Sequence, residues 1–155
     1  MQFAKYYGAY VIALASASKK DFVLNLGADE FVDYKTQRFE DVVQNVDLVV
    51  EAVKADGHIL RSMEVVKRGG NLISLWSGVT PEEATKAKRL GVNAFYNAIQ
   101  YSGGDMKFVA RLLKKGKLIP HVSKVFPFEA IPEAHIEIGK VHTQGKIAIQ
   151  VNETL

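Results

Sequence analysis

Residues 16–20 read Ser-Ala-Ser-Lys-Lys and directly follow the apolar run Tyr-Val-Ile-Ala-Leu-Ala. Hydroxyls and ammonium groups at the exit of an apolar segment are the donors a phosphate needs. They bind its oxygens, and the cations balance its charge. No acid stands at this exit before Asp21. The same residues also read as a helix start, with Ser18 as cap, Asp21 at the capping-box spacing and the lysines in a solvated first turn. Both readings remain open for Ser18; Ser16 and Lys19 together favour the phosphate.

Other chemistries lack their parts. The chain has no cysteine, which excludes disulfides and thiolate metal sites. His58, His121, His135 and His142 are spread out with no His-x-x-x-His pair, so no metal is expected. No Ser-His-Asp or paired-carboxylate arrangement is recognisable, and the catalytic residues are left unassigned. The net charge of +3 comes from scattered lysines and arginines, a solvated surface rather than a nucleic-acid footprint. The apolar runs fall short of the ~20 residues of a membrane helix, and no signal-peptide pattern opens the chain. A cytoplasmic protein with no membrane partner is expected.

The elements that must position these donors alternate in type. Apolar, β-branched runs at 10–15, 30–34, 47–53, 71–76, 92–96, 122–126 and 146–151 read as strands. Between them lie helical patterns. One ends at Gly27, one is marked by Phe39, Val42 and Val43, and one carries Ile59, Leu60, Met63 and Val66 up to Gly69-Gly70. Thr80-Pro81-Glu82-Glu83 is a strong helix start. Further helices are expected at 105–115, with Val109, Leu112 and Leu113 inward, and at 132–140. Strand–helix alternation implies right-handed βαβ units and an α/β doubly wound parallel sheet, the nucleotide-binding architecture. In that architecture an acid at the end of the second strand holds an NAD ribose. Here Ser16, Ser18 and Lys19 replace it, which favours NADP(H) over NAD(H).

Ligands of such sheets lie beyond the carboxyl ends of strands. That rule adds Ala52 and Val53, then Leu75 and Trp76, on the nicotinamide side. Trp76, the only tryptophan, either stacks on cofactor or substrate or fills a core. No G-x-G-x-x-G occurs, and Gly69-Gly70 and Gly103-Gly104 read as ordinary turns.

In order, QFAKYYGAYVIALA, LGADEFVDY, DLVVEAV, RGGNLISL, GKLIPHVSKVFPFEAIPEAH and HTQGKIAIQV span essentially the whole chain. This succession resembles the medium-chain dehydrogenase/reductase superfamily, in particular its zinc-independent quinone oxidoreductase branch and the related zinc-type alcohol dehydrogenase-like proteins. The resemblance covers the C-terminal portion of such proteins, and it implies an NAD(P)H-dependent oxidoreductase acting on a quinone, enone or carbonyl-type acceptor. It implies that Tyr34 borders the adenine and its phosphate, and that Gly145-Lys146 returns to the nicotinamide side. Lys54 and Ala55 stand where members often carry glycines.

Against this frame the chain reads as an incomplete Rossmann-like sheet lacking its first strand and glycine-rich turn. Residues 1–118 form a partial dinucleotide-binding domain. Residues 119–155 form a segment that would pack on an absent catalytic domain. Two inner strands would then have bare edges, to be covered by closing together, by exchange with a second copy, or by a separate N-terminal portion. The expected partners are thus a small-molecule substrate and a homo-oligomer or missing N-terminal portion, and weak or absent cofactor binding is expected of the chain by itself. The competing reading is a non-catalytic truncated fragment or assembly module.

Overall fold

The structure is a computed structural model, described here for residues 1–53, 55–140 and 143–151. It divides into two compact units, Met1–Ser102 and Gly103–Leu155. The expectations at Lys54 and His142 fall outside the described residues.

In the first unit, helix α1 (Gln2–Tyr6) leads through Gly8, at φ +81°, to strand β1 (Ile12–Ala15). The Lys5 ammonium bridges to Asp29 at 2.7 Å, and Asp29 also accepts from the Val11 N–H, so α1 is tied to the start of strand β2 (Glu30–Asp33). A 3₁₀ turn at Ala17–Lys19 precedes helix α2 (Lys20–Asn25). β1 and β2 pair in parallel, with Ala15 opposite Asp33. Helix α3 (Phe39–Val42) then leads to strand β3 (Val46–Glu51), helix α4 (His58–Val65), strand β4 (Val66–Ser74), helix α5 (Pro81–Leu90) and strand β5 (Asn93–Tyr96). β3, β4 and β5 form a second parallel sheet in that order.

One face of this sheet packs on α4 and α5, where Met63, Val66, Leu72, Ala87 and Val92 form a buried cluster that Val49 and Ala94 join. α5 starts as its sequence dictates. The Thr80 hydroxyl accepts from the Glu83 N–H at 3.2 Å, the Glu83 carboxylate accepts from the Thr80 N–H at 2.8 Å, and Pro81 sits at the first turn. Gly91, at φ +70°, ends the helix.

The second unit holds helix α6 (Gly103–Lys114), strand β6 (Val122–Pro127), helix α7 (Ile131–Gly139) and strand β7 (Lys146–Gln150). β6 and β7 pair in parallel. Gly145 has φ +83°, and a Cβ there would stand 2.3 Å from the His121 carbonyl oxygen. Only glycine lets the chain turn so tightly into β7.

Several expectations are corrected. Gly69-Gly70 does not end a helix: α4 stops at Val65 and both glycines lie inside β4. Gly70 is pressed against Val66 and the Asp47 carbonyl, where the β3–β4 register shifts. Gly103-Gly104 is no turn but the opening of α6. Leu113 is 41% exposed, whereas Leu112 is buried. Residues 10 and 11 precede β1, and residues 52 and 53 follow β3.

The inner strands are also less buried than their apolar runs suggest. Leu14, Leu48 and Val50 are 37%, 49% and 52% exposed. The reason is topological. In the Rossmann order a strand separates β1 from β3, and among the described residues the two sheets share no backbone ladder. The two halves therefore do not close together into one sheet. They meet instead through side chains, with Ile12, Val46 and Val49 packed around Val32, Phe39, Val43 and Val65.

Candidate functional site

Parallel pairing brings the carboxyl ends of neighbouring strands to one edge. Beyond β1 and β2 it collects Ser16, Ser18, Lys19 and Tyr34. The Tyr34 N–H donates to the Ala15 carbonyl at 3.3 Å, so the two strand exits stay side by side. Tyr34 is 55% exposed.

Ser18 does not cap the helix. The Lys19 N–H bonds back to the Ser16 carbonyl at 2.8 Å, winding a 3₁₀ turn first. α2 then starts at Lys20 with no side-chain cap. The Ser16 and Ser18 hydroxyls instead face each other at 3.1 Å. Paired hydroxyls beside Lys19 and Lys20 make a donor set whose chemistry suits a phosphate monoester.

Beyond β3 and β4 the same logic gathers Ala52, Val53, Leu75 and Trp76. The Leu75 N–H donates to the Glu51 carbonyl at 2.9 Å, which joins the two exits. Trp76 is 58% exposed and so fills no core. Its presentation depends on a residue the sequence did not single out. Ser74 is fully buried. Its hydroxyl donates to the Ser77 carbonyl at 2.8 Å and accepts from the Ser77 N–H at 3.2 Å, with the Trp76 N–H at 3.4 Å. A small residue of this kind at a strand end is the signature of a serine turn.

Lys146, at the start of β7, lies in the second unit, and its N–H donates to the His121 carbonyl at 2.8 Å. It is exposed.

Sequence reasoning also missed a buried acid. Glu51, the last residue of β3, is 3% exposed. It accepts from His58 Nδ1 at 2.5 Å and from the Ser62 hydroxyl at 3.0 Å. Burial pushes its carboxyl upward. The His58 hydrogen bond and charge, with the Ser62 hydroxyl and the Val53 N–H, outweigh burial and hold it below the usual carboxylate value. The visible signal was an acid closing an otherwise apolar strand, followed by His58 and Ser62 one turn apart on one helical face. Among the described residues no group of three or more His, Asp or Glu side chains is placed to hold a metal ion.

The family pattern of the zinc-binding dehydrogenases matches residues 26–149. The chain is 30% identical over 153 residues to an NADPH-dependent alkenal/one oxidoreductase, chloroplastic, of Arabidopsis thaliana, covering 96% of this chain and 36% of the relative. It is 29% identical over 153 residues to a 2-methylene-furan-3-one reductase of Solanum lycopersicum, with the same 96% and 36% coverage. Among solved structures, a quinone oxidoreductase from Coxiella burnetii superposes with a TM-score of 0.88 at 26% identity, covering 97% of this chain and 48% of that one. The chain therefore spans less than half the length of these relatives. Parallel sheets flanked by helices match the Rossmann-like half of such structures. The chain belongs to the zinc-binding dehydrogenase family and corresponds to a C-terminal portion of the medium-chain dehydrogenase/reductase superfamily.

Proposed function

We propose that the chain is the cofactor-binding part of an NADPH-dependent oxidoreductase that reduces a quinone, enone or carbonyl-type small molecule. The observation that carries this reading is the pair of strand exits after β1 and β2. There Ser16, Ser18, Lys19 and Lys20 supply hydroxyls and positive charge where an acid would select NAD. When bound, the cofactor supplies a hydride to the acceptor carbon. The protein's own part is to bind and orient. Ser16, Ser18 and Lys19 hold the 2′-phosphate, and Tyr34 flanks the adenine end. Ala52, Val53, Leu75 and Trp76 form the floor at the nicotinamide end. No side chain is assigned as proton donor. The names of the relatives support this reading: one is NADPH-dependent and another is a quinone oxidoreductase.

An N-terminal portion of the kind those longer relatives carry would supply the strand between β1 and β3, covering Leu14, Leu48 and Val50. It would also supply the turn that binds pyrophosphate. Binding of NADPH by the 155-residue chain is accordingly weak, and micromolar affinity would overturn the requirement for that turn. The test is a titration with NADPH and NADH followed by NMR and by Trp76 fluorescence. Replacing Lys19 and Lys20 with alanine weakens NADPH more than NADH. Equal losses remove the 2′-phosphate assignment and favour the alternative, an assembly module without cofactor selectivity.

A further inference from the structure

A carboxylate buried at the end of a Val- and Leu-rich strand costs several kcal/mol unless it is fully partnered. Glu51 is partnered from both sides of the β3–α4 connection. On the strand side the Val53 backbone amide favours its charged form. On the helix side it takes His58 Nδ1 at 2.5 Å and the Ser62 hydroxyl at 3.0 Å, from the first and second turns of α4. Its own carbonyl accepts the Leu75 N–H. One residue thereby joins the exit of β3, the start of α4 and the exit of β4.

The His58 ring is itself held. It lies 5.2 Å from the buried Phe39 ring, centroid to centroid. The Arg61 guanidinium covers Phe39 at 5.3 Å and pairs with Glu40 at 3.0 Å. The cluster is not an acyl-transfer triad. Ser62 Oγ stands 3.3 Å from Nδ1, the same nitrogen that faces Glu51. A nucleophilic serine needs the opposite nitrogen as its base. With Nδ1–H directed at the carboxylate, Ser62 is a second donor to Glu51.

The residues that Glu51 secures, Ala52 and Val53, lie where ligands of an open α/β sheet bind. An apolar residue at position 51 would avoid the desolvation cost and could not fix the Val53 amide. We propose that Glu51, His58 and Ser62 are positioning residues for the cofactor cleft: they hold the backbone at Ala52–Val53 in the shape that receives the nicotinamide end. This rests on the nucleotide-binding reading above.

Amide hydrogen exchange and NMR titration on the 155-residue chain test it. Glu51→Gln and His58→Ala should speed exchange at Val53 and His58 by at least about tenfold, the opening that loss of about 1.4 kcal/mol allows, while Leu72 and Val92 keep their protection. His58→Asn, whose side-chain amide can donate from the place of Nδ1, should restore protection. The same variants should weaken NADPH and NADH equally, because the nicotinamide end is common to both, whereas the Lys19 and Lys20 changes weaken NADPH more than NADH. Unchanged exchange at Val53 in Glu51→Gln overturns the proposal. So does faster exchange with unaltered affinity for both nucleotides, which leaves the cluster a purely structural staple. If exchange responds as expected while the Lys19 and Lys20 changes weaken both nucleotides equally, the nucleotide-binding reading is what fails, and the cofactor role of the cluster falls with it.

Discussion

Replacing Ser74 with alanine removes one buried hydroxyl and with it the pin that shapes the turn carrying Trp76. The side chain makes two well-formed hydrogen bonds, to the Ser77 carbonyl at 2.8 Å and from the Ser77 N–H at 3.2 Å. The contact from the Trp76 N–H at 3.4 Å is weaker. At about 1 kcal/mol net for each sound bond, the loss is about 2 kcal/mol. For a chain of this size that lowers Tm by about 4–8 °C. Thermal and urea unfolding by circular dichroism measure the loss. Iodide quenching of Trp76 reports the turn, and freeing it should change both the quenching constant and the emission maximum. A loss below about 0.5 kcal/mol with unaltered Trp76 emission would refute the claim that Ser74 sets the conformation of residues 75–78.

Further outcomes follow from the same geometry. Glu51 titrates below its usual value of 4.5 in the folded chain. Its stabilising contribution is therefore complete above that value and is lost as pH falls through the folded value below it. Urea midpoints measured across this acid range should fall more steeply for the parent than for Glu51→Gln. Gly145→Ala places a Cβ 2.3 Å from the His121 carbonyl oxygen at a backbone φ of +83°. It should destabilise the β6–β7 pairing by at least about 2 kcal/mol, seen as lost exchange protection at residues 146–150 with β3–β5 unaffected. Thr80→Ala removes one half of the capping box and should cost about 1 kcal/mol by urea unfolding.

What the sequence made legible was periodicity and punctuation. The α/β alternation, the capping box at Thr80 and the helix stop at Gly27 all encode local geometry, and each appears where its chemistry requires it. The strand-end rule named Ala52, Val53, Leu75 and Trp76 without any knowledge of side-chain packing, whereas Tyr34 came from the family resemblance. Local pattern failed where tertiary contacts overrode it. Ser18 and Asp21 have capping-box spacing, yet the Lys19 N–H closes a 3₁₀ turn onto Ser16 and the box does not form. Gly69-Gly70 resembles a helix stop, but the strand already begins at Val66, because it pairs with Val46 of β3. Glu51, His58 and Ser62 become neighbours only once α4 packs back on β3, a contact no single helical or strand period contains. The exposure of Leu48 and Val50 was equally hidden, since an apolar strand reads the same whether its edge is covered or bare.

The central claim is that the exit of β1 selects a 2′-phosphate. It is tested most directly with adenosine 2′,5′-bisphosphate, which carries that phosphate and needs no pyrophosphate-binding turn. NMR titration of the chain with this probe should shift the amides of residues 16–20 and 34–35. Its affinity should exceed that for adenosine 5′-monophosphate by about tenfold or more, the effect of one charge-assisted phosphate contact, and alanines at Lys19 and Lys20 should abolish the difference. Equal affinity for the two probes, or shifts confined to residues away from these strand exits, would contradict it.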